Sequence, residues 1–476
     1  MTNHLQELQN ITPELIIGLG IFIAVIFEMY SKKSEMILPW FSMLVFLAAG
    51  IFSLLTINIR AIVFNGMFSV GGIAGIFNCI FNFGAFLVIL SSKDYIKKYG
   101  SFYGEYYILI LSSVLGMMLM AGARDLFIVF LGLELMSICF YVLAGINRNK
   151  ISANEASLKY FLLGAFATGF IVYGIALIYG SAQTTSLEFI ISRFGSLSTN
   201  VLFVVGMLLF LIGFSFKIAA FPFHMWVPDV YQGSSTTIAG LMSTGGKAAA
   251  FSVLIIALGA VFPGINKNLF EPYFAVIATL SMLYGSIVAI AQSNLKRMLA
   301  YSSIAHAGYM SIGLAAGNYA SIAGIVFYLA AYTFMNLGAF GIISIVEGQK
   351  DSNLELSNYS GLAGKHPLIA AFMSLFMFAL AGLPPFAGFF GKYYVFIAAI
   401  ESNLTWLAVI GVISSIISAY FYLRVVVYMY FRESEVEFEI VKSRTGILSI
   451  IIAGVIVILI GLFPGSILDL IISFIR

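Results

Sequence analysis

Charged residues are scarce in this chain of 476 residues: Asp, Glu, Lys and Arg make up 9% of it, whereas hydrophobic residues make up 61%. About a quarter of the residues in soluble globular domains are charged. This composition therefore excludes a soluble globular domain and indicates an integral membrane protein. The 24 basic residues are spread along the chain, and the net charge is only +3. Because they form no basic patch, we expect no nucleic-acid partner.

Cysteine is also scarce, since Cys79 and Cys139 are the only two and both lie in apolar segments. Two distant cysteines indicate buried small side chains and neither a disulfide framework nor a metal cluster. The chain lacks a GxGxxG turn after a strand, a Walker A loop and an HExxH motif, which excludes the common nucleotide and zinc sites. We therefore predict no metal site and no cofactor bound by this chain.

Long apolar runs fill almost the whole sequence. A transmembrane helix needs about 20 mainly apolar residues, and runs bounded by charges, prolines or turns provide about fourteen such spans. We predict an all-α, polytopic membrane protein. The first run follows MTNHLQELQNITPE, which has no basic region, so we expect a retained helix and not a cleaved signal.

Basic residues near the ends of these spans are distributed unequally. Fourteen of them fall on one side of the predicted spans and five on the other. The positive-inside rule places the richer side in the cytoplasm. Both termini are then expected on the non-cytoplasmic side, which agrees with an even number of spans.

Two parts of the chain resemble each other weakly. LKYFLLGAF (158–166) and YTFMNLGAF (332–340) share LGAF, and a basic residue precedes a mid-helix ionisable group by ten positions in both 123–134 and 295–306. Five helices per unit, an odd number, would invert the two units in the membrane, which is a transporter architecture. We predict helices 1–3 in residues 1–104, the two repeats in 105–260 and 261–430, and the last helix in 431–476.

Prolines interrupt one predicted helix in each repeat. Pro222 lies in AAFPFH, and Pro384 with Pro385 lies in AGLPPF. Proline removes a backbone donor and clashes with the preceding turn, so both helices are predicted to break. In lipid the freed carbonyl groups need other partners or a wet cavity. Functional sites of inverted-repeat transporters lie near such breaks.

Five ionisable residues fall at similar depth in different predicted helices: Glu134, Lys217, Lys247, His306 and Lys392. A charge at the bilayer centre costs roughly 3 kcal/mol on insertion scales, so the presence of each of these residues needs an explanation. Lysine suits proton handling, because burial favours its neutral form and a nearby carboxylate its charged form. Together the five predict a polar proton path. In it, a change in the distance between Glu134 and Lys217 would add a proton to the lysine or remove one.

Structural roles are open for the individual residues. Glu134 and Lys217 could form an ion pair that holds two helices together, and His306 could be a neutral, hydrogen-bonded core histidine. Lys159 could reach to the membrane interface, with Glu155 one turn before it on the same face. His224 could have a capping or interfacial role, or it could handle protons.

Four segments carry a family resemblance: FKIAAFPFHMWVPDVYQGSSTTIAGLMSTGGKAAAF, EASLKYFLLGAFATGFIVYGIALIYG, KRMLAYSSIAHAGYMSIGL and AGLPPFAGFFGKYYVF. They resemble the proton-conducting, antiporter-like membrane subunits of respiratory NADH-quinone oxidoreductase (complex I) and the related Mrp-type cation/proton antiporters. The resemblance covers about residues 105 to 430 and is nearest to the N type of subunit. The L type carries a long C-terminal lateral helix, for which a chain ending at Arg476 leaves no room, and the M type typically has an acid in place of Lys392.

The resemblance implies a fourteen-helix fold with two inverted five-helix units. It also implies Glu134 and Lys217 as a coupled pair, Lys247 and His306 as central relays, and Lys392 as the lysine of the second unit. Lys159 and Glu155 match a basic and an acidic position of the family.

The resemblance further implies a subunit without a redox centre, with NADH, FMN, iron–sulfur clusters and quinone elsewhere in the complex. The implied partners are M-type and K/J-type membrane subunits, lipid and, indirectly, the peripheral redox arm. The implied location is a bacterial cytoplasmic membrane. Rival hypotheses are an Mrp-type antiporter subunit, an L- or M-type subunit, and a purely structural spacer.

Overall fold

The computed structural model describes residues 2–98, 104–259, 267–347, 353–433 and 443–475. Three basic residues used to predict the orientation lie outside these ranges: Lys350, Lys442 and Arg476.

Helices dominate the described residues, and a single short hairpin connects α3 to α4. The first nine helices are α1 (Thr2–Asn10), α2 (Thr12–Tyr30), α3 (Ser34–Thr56), α4 (Gly72–Lys98), α5 (Glu105–Gly122), α6 (Leu126–Ala144), α7 (Ile151–Ala182), α8 (Leu187–Ser192) and α9 (Phe194–Leu197). The hairpin pairs β1 (Ala61–Val63) with β2 (Phe68–Val70) in antiparallel register, with Ile62 opposite Ser69.

The remaining helices include one π-helical segment, Met242–Gly246, between two α-helices. They are α10 (Val201–Lys217), α11 (Trp226–Gly233), α12 (Thr236–Leu241), α13 (Lys247–Gly259), α14 (Lys267–Ile290), α15 (Leu295–Ala316), α16 (Tyr319–Val346), α17 (Leu362–Lys365), α18 (Pro367–Ala381), α19 (Ala387–Glu401), α20 (Thr405–Phe431), α21 (Arg444–Leu462) and α22 (Pro464–Ile475). A 3₁₀ turn, Leu356–Tyr359, precedes α17.

Eleven helices of the described chain are long and apolar enough to cross a membrane. Three shorter apolar helices of the described chain, α10, α18 and α22, accompany them. This confirms the predicted all-α, polytopic membrane fold.

Helix ends follow local capping chemistry. The Asp125 carboxylate accepts a 2.8 Å hydrogen bond from Phe127 N and begins α6. The side chain of Asn318 accepts from Ser321 N at 2.7 Å and begins α16. These contacts satisfy backbone donors that have no partner within the helix.

Both predicted breaks are present, and each begins with the same type of helix cap. Ala219 has a φ of +64° and Gly382 a φ of +85°, both in the left-handed region. Ala220 N donates to Ser215 O at 2.9 Å, and Leu383 N donates to Phe378 O at 3.1 Å. This is the Schellman arrangement, in which a left-handed residue ends the helix. The first helix therefore ends at Lys217, because the chain turns at Ala219 before it reaches the proline.

Side chains satisfy backbone groups inside the first break. Phe221 N donates to Ser281 Oγ at 2.9 Å, and Trp226 Nε1 donates to Phe216 O at 3.1 Å. The Phe221–Pro222 and Pro384–Pro385 peptide bonds are cis. Backbone groups that lack helical hydrogen bonds are tolerated at membrane depth where other protein groups bind them. Ser281 and Trp226 do this in the first break.

Equivalent helices of the two predicted repeats pack through close glycines. A Cβ on Gly116 of α5 would lie 2.6 Å from Gly132 O of α6, and one on Gly308 of α15 would lie 2.7 Å from Met282 N of α14. Only glycine permits such backbone approach. We propose from this likeness and from the shared helix caps that α5–α13 and α14–α20 are the two repeats, with α2–α4 before them and α21 after them.

Candidate functional site

Lys247 is the first residue of α13, directly after the π-helical segment. Its side chain is buried, and its ammonium group donates to Ser303 Oγ at 2.6 Å and to Ser303 O. The ammonium group also lies 5.6 Å from the ring centroid of Tyr332. The π turn shifts the register of the helix at this point, a feature common at functional sites.

His306 lies in α15, one turn after Ser303 on the same face of that helix. Its Nδ1 lies 2.8 Å from the Tyr328 hydroxyl, and its Nε2 lies 2.9 Å from the Tyr422 hydroxyl. The imidazole centroid is 4.9 Å from that of Tyr332. Each ring nitrogen therefore has a hydroxyl partner that can donate or accept, so proton exchange is possible on both sides.

Lys392 lies in α19, after the second break. Its ammonium group donates to Ala381 O at 2.8 Å, to Ser415 Oγ at 2.8 Å and to Leu380 O at 3.4 Å. These two carbonyl groups end α18, where the negative end of the helix dipole favours a cation. The ammonium group also lies 4.8 Å from the ring centroid of Tyr309.

Tyrosine and serine side chains join these three ionisable residues into one buried string. Tyr332 lies beside both Lys247 and His306, and Tyr309 lies beside both His306 and Lys392, with the His306 and Tyr309 ring centroids 5.7 Å apart. Lys247, His306 and Lys392 are each at most 4% exposed. The structure thus brings together Lys247, His306 and Lys392 from three different helices.

Lys217 and Glu134 are not in contact. The Lys217 ammonium group donates to Ser137 Oγ at 2.9 Å and to the Tyr141 hydroxyl at 3.4 Å, whereas Glu134 accepts a 2.8 Å hydrogen bond from Thr168 Oγ1. An ion pair between the two is absent from the described residues. Glu134 is also only partly buried. The structural alternative of an ion pair therefore does not hold here, because both side chains form hydrogen bonds with hydroxyl groups instead.

Lys159 does not simply reach to the interface. Its ammonium group lies 2.7 Å from Glu155 Oε1 and 3.0 Å from Asp229 Oδ2. Arg297 Nη1 binds the other oxygen of Asp229 at 2.7 Å and Gln232 Oε1 at 3.1 Å. In the structure this carboxylate links α7, α11 and α15 between the two predicted repeats.

His224 lies in the first break and is buried. Its ring stacks on Phe221 with centroids 5.3 Å apart and lies 4.5 Å from the ring centroid of Tyr284. Its Nδ1 has no hydrogen-bond partner among the described residues. The ring thus packs among aromatic side chains, and these contacts do not join it to the string around Lys247.

Sequence reasoning missed the neutral members of the site: Ser303, Tyr309, Tyr328, Tyr332, Ser415 and Tyr422. One signal was available, because Ser302, Ser303 and His306 lie within one turn in AYSSIAHAG. No comparable signal marks the tyrosines, since 25 of them occur along the chain.

A family model described as "NADH:quinone oxidoreductase/Mrp antiporter, TM" matches residues 123–418, more than half of the chain. The chain belongs to this family. A subunit N of NADH-quinone oxidoreductase from Trichlorobacter lovleyi is 43% identical over 468 residues, 97% of this chain and 96% of the relative. A protein of the same name from Salinibacter ruber is 44% identical over 419 residues, 85% and 83% of the two chains. These relatives confirm the predicted resemblance to the N type.

Chains of two solved complexes share the fold. A chain in respiratory complex I from Thermus thermophilus with bound aureothin is 32% identical, with a TM-score of 0.83 over 96% of this chain and 98% of that one. A chain in the Mrp complex from Dietzia sp. DQ12-45-1b has a TM-score of 0.85 at 19% identity, covering 98% and 97% of the two chains. The second likeness shows the antiporter-like fold alone.

Proposed function

We propose that this chain is the N-type, proton-translocating membrane subunit of a respiratory NADH-quinone oxidoreductase. One observation carries the proposal: the buried string from Lys247 through Tyr332 and His306 to Tyr309 and Lys392. Ionisable groups inside a membrane are costly and line ion paths or proton relays. Here each of the three is buried beside hydroxyl groups that can exchange or orient protons.

The pair Lys217 and Glu134 supplies a coupling device in this proposal. Ser137, which binds the Lys217 ammonium group, lies three residues after Glu134 on α6. A shift of α6 would therefore change the hydrogen bond to Lys217 and its distance from Glu134 together. Because a nearer carboxylate favours the charged lysine, such a shift would load or release a proton. Electron transfer and quinone reduction in other chains would drive it.

The proposed partners are the neighbouring membrane subunits of M type and K/J type, with the peripheral redox arm contacted only indirectly. Cofactors of the redox reaction, namely NADH, FMN, iron–sulfur clusters and quinone, belong to other chains in this proposal. The proposed location is a bacterial cytoplasmic membrane with both termini outside. Cysteine labelling of Thr2 and Ser473 variants from each side of sealed vesicles checks that orientation.

Replacing Lys247 by methionine tests the function. The assembled complex carrying Lys247→Met is expected to move less than half as many protons per electron as the wild-type complex. Lys33→Met, which changes an exposed lysine directly before α3, is expected to leave the ratio unchanged. Co-purification of the membrane subunits with the NADH- and iron–sulfur-binding subunits reports on assembly, and NADH oxidation with an artificial acceptor reports on the redox subunits alone. An unchanged ratio in a fully assembled Lys247→Met complex contradicts the proposal.

A cation/proton antiporter subunit is the second candidate, favoured by the family model, whose description includes the Mrp antiporters. It would use the same fold and the same buried lysines. Purification decides between the two, since an antiporter would co-purify with a few small membrane proteins and not with NADH- and iron–sulfur-binding subunits. Sodium- or potassium-dependent proton exchange in vesicles without NADH would also favour it.

A further inference from the structure

The carboxyl group of Glu14 is buried and lies outside the string described above. Glu14 is in the first turn of α2 and is 8% exposed. Asn78 Nδ2 of α4 donates to its Oε1 at 2.8 Å. Its Oε2 is buried and has no hydrogen-bond partner among the described residues.

No described cation forms an ion pair with Glu14. Burying an unpaired carboxylate is costly, and one amide donor does not compensate that cost. The first turn of a helix partly offsets it, because backbone N–H groups and the helix dipole favour a negative charge there. The surroundings of Glu14 are therefore compatible with both its ionised and its protonated form. A group that binds and releases a proton must be able to adopt both forms.

The face of α4 that meets Glu14 continues as a polar stripe. Asn82 lies one turn after Asn78 and donates from Nδ2 to Asn78 O at 2.8 Å and to Met118 Sδ at 3.6 Å. Asn82 Oδ1 is buried without a partner among the described residues. At 100° per residue, Asn78, Asn82 and Ser92 fall within an arc of about 80° on the same side of the helix.

The other end of this stripe reaches α12, which the π-helical segment separates from Lys247 at the start of α13. Ser92 Oγ lies 2.6 Å from the Tyr106 hydroxyl, which lies 2.9 Å from Thr237 Oγ1 of α12. Between these ends, α4 packs against the π-helical segment and against α13. The stripe therefore runs beside the segment that directly precedes Lys247.

We propose that Glu14 is a proton-binding residue and that Asn78 and Asn82 form, with bound water, a branch connecting it to the Lys247 string. This inference rests on the proposed function. A proton leaving the Lys247 ammonium group passes along water held by the asparagine amides, binds the Glu14 carboxylate, and leaves at the amino-terminal ends of α2 and α4. The amides hydrogen-bond water and take no proton themselves, so Glu14 is the only group of this branch that changes charge.

Glu14→Gln in the whole complex tests the branch, because glutamine keeps the shape and the amide contact but binds no proton. We expect fewer protons per electron than in the wild-type complex, by about the factor seen for Lys247→Met, and restoration by Glu14→Asp. We also expect infrared difference spectra of the working complex to lose a carboxyl band in Glu14→Gln. Glu35→Gln, the same change at an exposed position on α3, is expected to alter neither.

The outcomes separate this inference from the proposed function. A normal proton ratio in Glu14→Gln, with a lowered ratio in Lys247→Met, overturns the branch alone. A normal ratio in both overturns the proposed function as well. Loss of assembly in Glu14→Gln with an unchanged ratio in the remaining complex shows a structural role and also overturns the branch. Asn82→Leu provides a second check, with a lowered ratio expected while the Glu14 band is retained.

Discussion

The two broken helices are built alike but hold their lysines differently. Lys217 is the last residue of α10 and lies before its break, where two hydroxyl groups of α6 accept from it. Lys392 lies after its break and donates to two carbonyl groups of α18 and to Ser415. Both are at most 6% exposed.

Partner chemistry distinguishes the two sites. A carbonyl oxygen only accepts hydrogen bonds, so the Lys392 site matches an ammonium group. A hydroxyl group both donates and accepts, so the Lys217 site accommodates either form of the amine. The first break therefore contains the adjustable lysine and the second a lysine that also holds backbone in place.

Lys392→Met should give the largest effect. It leaves the carbonyl groups of Leu380 and Ala381 without this donor, at about 1–3 kcal/mol for each buried group that stays unpaired. We expect the free energy of unfolding to fall by about 3 kcal/mol and proton translocation to be lost. The midpoint of thermal denaturation of the solubilised complex measures the first, and vesicle acidification measures the second.

Lys217→Met is the matched control for that prediction. The hydroxyl groups of Ser137 and Tyr141 can bond to other groups once the ammonium is removed, and Ser137 already donates to Leu133 O at 2.6 Å. Proton translocation should therefore be lost with a stability loss of only about 1 kcal/mol. Equal stability losses in the two variants would contradict the distinction between the sites.

Gly382→Ala addresses the cap of the second break. A left-handed conformation costs about 1–2 kcal/mol for a residue with a Cβ. The added Cβ would also lie 3.0 Å from Lys392 Cδ and 3.1 Å from its Nζ. We expect a loss of about 2 kcal/mol in the free energy of unfolding. Gly180→Ala, where the added Cβ would meet no side chain and no other helix within 4 Å, is the control and should not destabilise the chain.

Residue patterns predicted the fold well, because long apolar runs and interior prolines act locally. Apolar length alone places α2–α7, and the prolines locate both breaks to within a few residues. The site was less predictable. The pattern identifies Lys247, His306 and Lys392 as unusual in lipid, but the tyrosines between them come from α15, α16 and α20 and meet only after folding. Asp229 was missed for the same reason, since its partners lie 70 and 68 residues away.

Ser137→Ala tests the adjustable partner of Lys217. The ammonium group keeps the Tyr141 hydroxyl at 3.4 Å, so the stability loss should be about 1 kcal/mol, near that of one net hydrogen bond. Proton translocation should fall, because the hydroxyl that couples α6 to the lysine is gone. Ser137→Thr restores the hydroxyl and should recover most of the rate. An equally impaired Ser137→Thr would show that packing matters here and not the hydrogen bond.

Ala219→Gly should give the smallest effect and the opposite sign. Ala219 has a φ of +64° in the cap of the first break, where the second break has Gly382. Glycine removes a steric cost of about 1–2 kcal/mol but loses about 0.5–1 kcal/mol of backbone entropy on folding. The net gain in the free energy of unfolding is therefore about 0.5 kcal/mol. A small rise in the denaturation midpoint at unchanged proton translocation is expected, and a fall would show that the Ala219 methyl group is held by packing that outweighs its backbone strain.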